Sequence, residues 1–222
     1  MATLVQILGE PGTGKTYSMR NLAPKTTFYF NSDKKNMPFR GWKSKYCKEN
    51  KNYIATSDIA MIGSILNKID KEQNHIKVVV IDTLNSIMSD KEMAERKKKG
   101  FDKWMDLAGD VYDLYRYIAS LREDLTVYCV AHTEDYVGKD GMGRQRLKTN
   151  GAKLTKLNLE GLTTYTLYSA MTKGVESTEY TFETQNNGYN TARSPEGVFE
   201  GFAIENDLEK VTKAIIDYEF GE

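Results

Sequence analysis

The sequence has 222 residues, of which 40% are hydrophobic, enough for a sizeable buried core within one large domain. Its 31 basic residues balance its 31 acidic residues, which excludes a strongly basic protein and confines any nucleic-acid surface to a local patch. The two cysteines, Cys47 and Cys129, do not indicate a disulfide framework, and no segment resembles a signal peptide or a membrane-spanning helix. We therefore expect a soluble cytoplasmic protein that has no membrane partner.

The first part of the chain predicts alternating strands and helices. Residues 3–8 are typical of a buried strand, and residues 15–22 are typical of a short helix. The β-forming residues 26–31 predict a second strand, and the polar segment 34–55 predicts an irregular excursion. Apolar residues at helical spacing then predict a further helix with Ser57 as its N-cap.

The middle of the chain continues this alternation. Residues 78–81 form a continuous apolar run that ends at Asp82, as expected of a strand covered on both faces. A charge run over residues 89–100 precedes an amphipathic pattern over residues 101–121, which predicts one long helix. Residues 125–131 predict another buried strand.

The pattern changes after about residue 160. Residues 163–170 and 177–184 predict strands of an antiparallel extension, and residues 185–201 are typical of a loop. A final helix is predicted over residues 207–218, with Asn206 as its N-cap.

These elements predict an α/β fold with a mainly parallel sheet flanked by helices and a C-terminal antiparallel extension. We expect a single domain over residues 1–222. Its core would span residues 1–160, and the β-rich extension with the last helix would span residues 161–222.

A glycine-rich segment between the first predicted strand and helix matches the pattern G-x-x-x-x-G-K-[ST]. Glycines allow backbone N–H groups to face the phosphates of a nucleotide, and a helix N-terminus adds its positive end. Lys15 would reach the β- and γ-phosphates, and the Thr16 hydroxyl would bind Mg²⁺. The alternative is a glycine-rich turn that binds nothing. The predicted site for ATP comprises Gly9, Glu10, Pro11, Gly12, Thr13, Gly14, Lys15, Thr16 and Tyr17.

Asp82 follows the apolar strand at the position of a Walker B carboxylate. A carboxylate at this edge of a parallel sheet can hold a water molecule bound to Mg²⁺. Thr16 and Asp82 together are the predicted metal site, and Thr83 and Ser86 are expected to support Asp82 through hydrogen bonds. The alternative is an aspartate that only caps the end of a strand.

Hydrolysis also needs a group that orients the attacking water. Asp33, just after the second strand, is the first candidate, and Glu10 in the glycine-rich segment is the second. His132 follows another strand and can contact the γ-phosphate and report its loss. The alternatives are a solvated turn and a structural histidine. The predicted catalytic residues are therefore Lys15, Asp33, Asp82 and His132.

Two segments are basic enough to contact a single nucleic-acid strand. Residues 96–99 follow Asp82, and residues 136–153 mix basic side chains with glycines. The alternatives are a solvated charge run and a glycine-rich hairpin, and composition alone does not choose between them. The candidate contacts are Arg96, Lys97, Lys98, Lys99, Lys139, Arg144, Arg146 and Lys148.

The order of these parts resembles the RecA-type ATPase core and, within it, small phage-encoded ATPases of single-strand annealing and recombination. The resemblance is carried by the P-loop at residues 9–16, the strand at 28–33, the Walker B strand at 78–82, and His132. His132 falls where that family carries its polar γ-phosphate sensor. The resemblance implies an ATPase with ATP and Mg²⁺ as cofactors, acting on single-stranded DNA in phage recombination, annealing or replication, in the host cytoplasm.

The same resemblance implies two DNA-binding loops, one after Walker B and one after the sensor, where residues 89–100 and 136–150 lie. It also implies a homo-oligomer, either a ring or a short filament, and a single-strand-binding protein as a further partner. Lys173 or Arg193 would reach the phosphates of a neighbouring subunit as a finger. Asp33 replaces the glutamate that is more usual in the family, which predicts slow turnover.

Two other classes of protein share the P-loop. A small-molecule or nucleotide kinase would need an arginine-rich lid, for which Arg144 and Arg146 are the available residues. A nucleotide-binding regulatory or assembly protein would hydrolyse little ATP.

Overall fold

The computed structural model describes residues 1–97 and 102–221. The described strands are β1 (Thr3–Gly9), β2 (Thr27–Asn31), β3 (Tyr53–Ile54), β4 (Val78–Asp82), β5 (Thr126–Val137), β6 (Gly143–Leu147), β7 (Tyr165–Lys173), β8 (Thr178–Glu183) and β9 (Ala203–Glu205). The described α-helices are α1 (Trp42–Lys45), α2 (Ile59–Glu72), α3 (Leu84–Ala94), α4 (Asp102–Ser120), α5 (Ala152–Leu157) and α6 (Leu208–Phe220). Short 3₁₀ helices cover Tyr17–Asn21 and Leu159–Leu162.

The strands form one mixed sheet in the order β3-β2-β4-β5-β1-β7-β8-β9, and β6 pairs with β5 beside this path. The six strands from β3 to β7 in this spatial order, β3-β2-β4-β5-β1-β7, pair parallel with one another. Strands β8 and β9 add antiparallel pairs at one edge. The predicted architecture, an α/β core with a mainly parallel sheet and an antiparallel C-terminal extension, is therefore confirmed.

Two hydrophobic cores lie on opposite faces of the sheet. Along β4, Val79 and Ile81 pack into one core with α2 and α4. The alternate residues Val78 and Val80 pack into the other core, which also contains α6. Since successive side chains of a strand point to opposite faces, a strand buried on both sides must be apolar throughout. The continuous run before Asp82 is explained in this way.

Strand β7 corrects one part of the predicted organisation. The sequence pattern assigned residues 163–170 to an antiparallel extension, but β7 pairs parallel with β1 and antiparallel with β8. It is therefore the last parallel strand of the central sheet. The residues of a strand indicate that it is buried, but they do not indicate whether it pairs parallel or antiparallel with its neighbour. The sequence pattern therefore could not show that β7 pairs parallel with β1.

Helix starts differ from the prediction by one residue. Asp58 caps α2, and its carboxylate accepts hydrogen bonds from the backbone N–H groups of the first turn. The hydroxyl of Ser57, the predicted cap, donates to Asp90 instead. Asp207, not Asn206, caps α6. In both cases a charged acceptor lies next to the predicted one and takes the capping position.

Two further helices differ from their predictions. The segment expected as a helix over residues 15–22 is a 3₁₀ helix over Tyr17–Asn21. Helix α3, which begins directly after the Walker B strand, was not predicted. No helix in the described part of the chain combines the length and the apolar character that a membrane span requires.

Candidate functional site

The P-loop connects β1 to the first 3₁₀ helix at the carboxyl edge of the parallel strands. Gly12 and Gly14 have φ angles of 85° and 90°, in the left-handed region that favours glycine. A Cβ atom on Gly14 would also lie 2.8 Å from the Tyr180 ring. The loop conformation therefore depends on glycine at these two positions.

Lys15 is buried beneath this loop, with 6% of its surface exposed. Its Nζ donates hydrogen bonds to the backbone carbonyls of Gly9 (2.7 Å) and Glu10 (2.6 Å). Burial lowers the pKa of Lys15 to about 8, although the carboxylates of Asp82 and Asp33 act in the opposite direction. The sequence thus places a weakly solvated cation at the centre of the loop.

Asp82, at the end of β4, is buried and faces Lys15 and Thr16. The Thr16 hydroxyl donates to Asp82 Oδ2 at 2.6 Å, and the Tyr29 hydroxyl donates to the same oxygen at 3.1 Å. Burial raises the pKa of the Asp82 carboxyl. Its other oxygen, Oδ1, is buried and has no hydrogen-bond partner within residues 1–97 and 102–221.

This unpaired oxygen is the structural observation that bears on a metal ion. Mg²⁺ prefers oxygen ligands and usually keeps several water molecules, so it is bound through one or two protein groups rather than a full protein cage. The Thr16 hydroxyl and the Asp82 carboxylate are in contact and supply such oxygens. The residues present therefore fit Mg²⁺.

Asp33 lies beside Asp82, since Asn31 of β2 pairs with Asp82 of β4. Its Oδ1 accepts hydrogen bonds from the hydroxyls of Thr83 (2.7 Å) and Ser86, and its Oδ2 accepts one from Lys35 Nζ at 3.0 Å. Burial alone would raise the pKa of Asp33, but these hydrogen bonds outweigh it and hold the pKa below its usual value.

Thr83 and Ser86 therefore correct a prediction. They were expected to support Asp82, but their hydroxyls bind Asp33. The reason is the start of α3, which turns the chain away from β4 immediately after Asp82 and carries both hydroxyls towards the end of β2.

His132 lies on β5, between the P-loop strand and the Walker B strand. Burial and nearby Lys15 lower the pKa of His132, which favours the neutral imidazole. Its Nδ1 is buried without a hydrogen-bond partner in the described structure. A neutral imidazole with a free ring nitrogen can still donate or accept one hydrogen bond.

Asn85 holds this region together and was missed by the sequence analysis. Its Oδ1 accepts from the backbone N–H of His132 at 2.7 Å, and its Nδ2 donates to the carbonyl of Lys148 at 2.9 Å. One side chain on α3 thus joins the backbone of β5 at His132 to the chain just after β6. An asparagine three residues after a Walker B aspartate was the available signal, but nothing in one sequence distinguishes it from a surface asparagine.

A cleft of about 700 Å³ lies between the P-loop and the neighbouring strand ends, and Lys15, Asp33 and His132 are among the residues that line it. A volume of this size suits a ligand as large as a nucleotide. Its lining residues are Pro11, Gly12, Gly14, Lys15, Thr16, Tyr17, Tyr29, Asn31, Asp33, Lys35, Asn36, Pro38, Asp82, Thr83, His132, Thr178 and Tyr180.

Glu10, the second candidate for orienting water, does not line this cleft. Its exposed carboxylate accepts a hydrogen bond from Gln145 Nε2 at 2.9 Å. Gln145 lies on β6, so Glu10 joins the P-loop to the β5–β6 hairpin. The structure thus brings Asp33, and not Glu10, into the cleft.

The C-terminal elements support the P-loop from outside, which the sequence analysis did not anticipate. The Ser169 hydroxyl on β7 donates to the carbonyl of Thr13, and Asn206 Nδ2 donates to Ser169 Oγ at 3.2 Å. Arg20, four residues after Thr16, donates to the Asn206 carbonyl at 2.6 Å. These contacts connect the loop to the start of α6.

The predicted nucleic-acid segments are only partly described. Lys98 and Lys99 lie outside the described residues. Arg96 and Lys97 are exposed at the end of α3. The second segment is a β-hairpin over its first half, because β6 pairs with β5.

Two arginines of that hairpin already pair with acidic residues. Arg144 forms an ion pair with Asp140, and Arg146 Nε forms one with Glu134 at 2.9 Å. Lys139 and Lys148 are exposed. Any positive surface of the hairpin therefore comes mainly from these lysines.

Arg193, one of the two residues predicted as a finger, is bound within its own chain in this structure. Its guanidinium donates to the backbone carbonyls of Glu160 and Thr163, and its backbone pairs with Thr166. The side chain is therefore turned into its own subunit. Lys173, the other candidate, is exposed at the end of β7.

A glycine-rich loop after β1, a buried lysine within it, and carboxylates at the ends of two nearby parallel strands define a P-loop NTPase core. The chain belongs to the protein family described as "AAA domain", whose model matches residues 2–195.

No curated protein matches the chain. Similar solved structures include a KaiC-like protein from Pyrococcus horikoshii OT3, with 11% identity and a TM-score of 0.48, covering 81% of this chain and 76% of that one. Another is the flagellar accessory protein FlaH from Methanocaldococcus jannaschii, with 14% identity and a TM-score of 0.47, covering 91% of this chain and 83% of that one.

Proposed function

We propose that the chain binds ATP with Mg²⁺ in this cleft and hydrolyses it. The observation that carries the proposal is the contact between Thr16 and Asp82 beneath the P-loop, at 2.6 Å, with the second oxygen of Asp82 left unpaired. Bound Mg²⁺ would supply charge stabilisation for the phosphates.

The side chains around the cleft have separate roles in this proposal. Lys15 neutralises the β- and γ-phosphate oxygens, and Asp33 accepts a hydrogen bond from the attacking water. The water oxygen bonds to the γ-phosphorus while the bond to the β–γ bridging oxygen breaks, giving ADP and inorganic phosphate. His132 contacts the terminal phosphate and registers its release.

The pKa of Lys15 gives this proposal a pH dependence. A bound triphosphate favours the protonated amine, whose pKa is lowered by burial to about 8. Below that pH the amine is already protonated, and above it each binding event must take up a proton. The affinity for an ATP analogue should therefore be flat below about pH 8 and fall as the pH rises further.

Calorimetry between about pH 6.5 and pH 9.5 measures this dependence, and Lys15→Arg is the matched control. Arginine stays protonated over the whole range. The affinity of the Lys15→Arg variant for the ATP analogue should therefore not begin to fall near pH 8. The same alkaline fall in both proteins would assign the titration to another group.

We further propose that this ATPase acts on single-stranded DNA in phage recombination, annealing or replication. The β5–β6 hairpin supports this proposal. It begins on the strand that carries His132, contacts the P-loop through Gln145, and contacts α3 through Asn85. A DNA strand bound to this hairpin would therefore be connected to the nucleotide cleft through the side-chain contacts of Gln145 and Asn85. Assembly of several copies into a ring or short filament remains part of the proposal.

Single-stranded DNA is expected to raise the rate of phosphate release from ATP. Replacing Lys139 and Lys148 with alanine should weaken DNA binding and reduce its salt dependence by about 0.7 log units per log unit of salt for each lost contact. Fluorescence anisotropy of a labelled strand at several salt concentrations measures both effects.

The matched control replaces Lys25 and Lys68, two exposed lysines away from the cleft edge, and makes the same charge change. If both double variants lose the same affinity, the hairpin is not the binding site. Phosphate transfer to a nucleoside monophosphate, without any effect of DNA, would instead favour a kinase. Nucleotide binding with negligible turnover would favour a regulatory protein.

A further inference from the structure

The cleft contains a second lysine that the P-loop pattern does not include. Among the described residues that line the cleft, Lys15 and Lys35 are the lysines, and arginine is absent from that part of the lining. Lys15 is buried and bound to two carbonyls, whereas the Lys35 side chain is 74% exposed. Lys35 is therefore the cation that can change its partner most easily.

The backbone of Lys35 is fixed although its side chain is exposed. Asn31 Oδ1 accepts from the Lys35 backbone N–H at 3.2 Å, and Asn31 Nδ2 donates to the Lys35 carbonyl at 2.7 Å. Asn31 pairs with Asp82 across β2 and β4, so this anchor belongs to the rigid sheet. Because the lysine side chain is long and flexible, its ammonium group can reach different positions in the cleft while the backbone stays fixed.

The present partner of Lys35 is the carboxylate that is proposed to orient water. Its Nζ bonds to Asp33 Oδ2 at 3.0 Å, while Thr83 and Ser86 hold Oδ1. A water molecule that uses Asp33 as its acceptor shares Oδ2 with Lys35, and Oδ2 becomes a stronger acceptor for that water when the Lys35 ammonium group leaves it. Removal of Lys35 from this oxygen leaves Asp33 oriented, because the two hydroxyls of α3 still bind Oδ1.

We propose that Lys35 recognises the terminal phosphate of a bound triphosphate and exchanges Asp33 Oδ2 for it. The inference rests on the proposed function, because it needs a triphosphate in the cleft. A terminal phosphate offers several charged oxygens to an ammonium group, whereas Asp33 offers one oxygen. The exchange couples the presence of that phosphate to the loss of the Lys35 hydrogen bond from the oxygen that the attacking water uses.

The proposal separates triphosphate from diphosphate binding. Lys35→Ala should weaken the affinity for a non-hydrolysable ATP analogue by about tenfold, the effect of one lost charge-assisted hydrogen bond, and leave the affinity for ADP unchanged. Lys35→Arg, which keeps a flexible cation, should restore most of the preference for the triphosphate. Calorimetry with both nucleotides, in the presence of Mg²⁺, measures these ratios.

Lys34→Ala is the matched control. Lys34 is the adjacent lysine, it is also exposed, and its Nζ pairs with Asp90 at 2.9 Å rather than with a group of the cleft. Its removal makes the same charge change and should leave both affinities at the wild-type values. Thermal unfolding of the two alanine variants checks that each is folded.

The outcomes separate the two proposals. Equal affinities in Lys35→Ala and the wild type, or an equal loss for ATP and ADP, would overturn the role of Lys35 while nucleotide binding stands. A wild-type protein that binds neither nucleotide would overturn the proposed function and the role of Lys35 with it. A loss confined to the triphosphate, absent in Lys34→Ala, would support the exchange.

Discussion

Replacing Lys15 with alanine is expected to abolish tight ATP binding. The ammonium group is buried beneath the P-loop, where its interaction with phosphate is stronger than it would be in water. Loss of a charge-assisted contact to two phosphates corresponds to an affinity loss of about 100-fold or more. Calorimetry with a non-hydrolysable ATP analogue in the presence of Mg²⁺ measures this loss.

The substitution has a second effect that needs a control. Alanine leaves the carbonyls of Gly9 and Glu10 without the donor that Lys15 gives them, so the loop itself could relax. Lys15→Arg retains a donor and a charge and should bind the analogue more tightly than Lys15→Ala. An alanine variant with wild-type affinity would show that the triphosphate does not bind at this loop.

Asp82→Asn is expected to reduce turnover by about 100-fold or more and to retain most of the nucleotide affinity. The asparagine oxygen still accepts hydrogen bonds from Thr16 and Tyr29, so the packing of the site is kept. The negative charge that fits Mg²⁺ is lost, and charge stabilisation by the metal falls with it. Phosphate release at saturating ATP and Mg²⁺ measures the effect.

The thermal stability of Asp82→Asn provides a separate check on this variant, because the expected change follows from the pKa of Asp82. Burial raises that pKa, which means that the ionised carboxylate is less favourable in the folded chain than in the unfolded one. Asparagine removes this cost, so the variant should unfold at the same temperature as the wild type or a higher one. Asp124→Asn, at an exposed carboxylate beside Lys77, should leave turnover unchanged. Wild-type turnover in Asp82→Asn would refute the Walker B assignment.

The parts of the site that the sequence predicts are those in which one short segment carries all the residues that its function requires. The P-loop needs glycine, lysine and threonine at fixed spacing, and the Walker B strand needs an unbroken apolar run because helices cover both of its faces. These two segments, together with the end of β2 and the middle of β5, bring Lys15, Asp33 and His132 to one cleft. Their proposed roles in catalysis remain predictions.

The parts that sequence could not supply depend on contacts between distant segments. Tyr29 and Asp82 are far apart in the chain, and their hydrogen bond follows from the register of β2 against β4. Arg193 was predicted to face a neighbour because a surface arginine and one bound to internal carbonyls look alike in sequence. Helix α3 was hidden by its weak amphipathic pattern, since charged residues occupy much of its second half.

The position of β1 between β5 and β7 has a consequence for how the protein forms as it is made. The nucleotide loop is synthesised more than a hundred residues before its neighbouring strands β5 and β7 and before Ser169, which contacts it. Chains with such long-range pairing fold slowly, because distant segments must meet before the sheet closes. A growing chain that has not yet produced β7 has no assembled binding cleft, so nucleotide cannot stabilise it against aggregation or proteolysis.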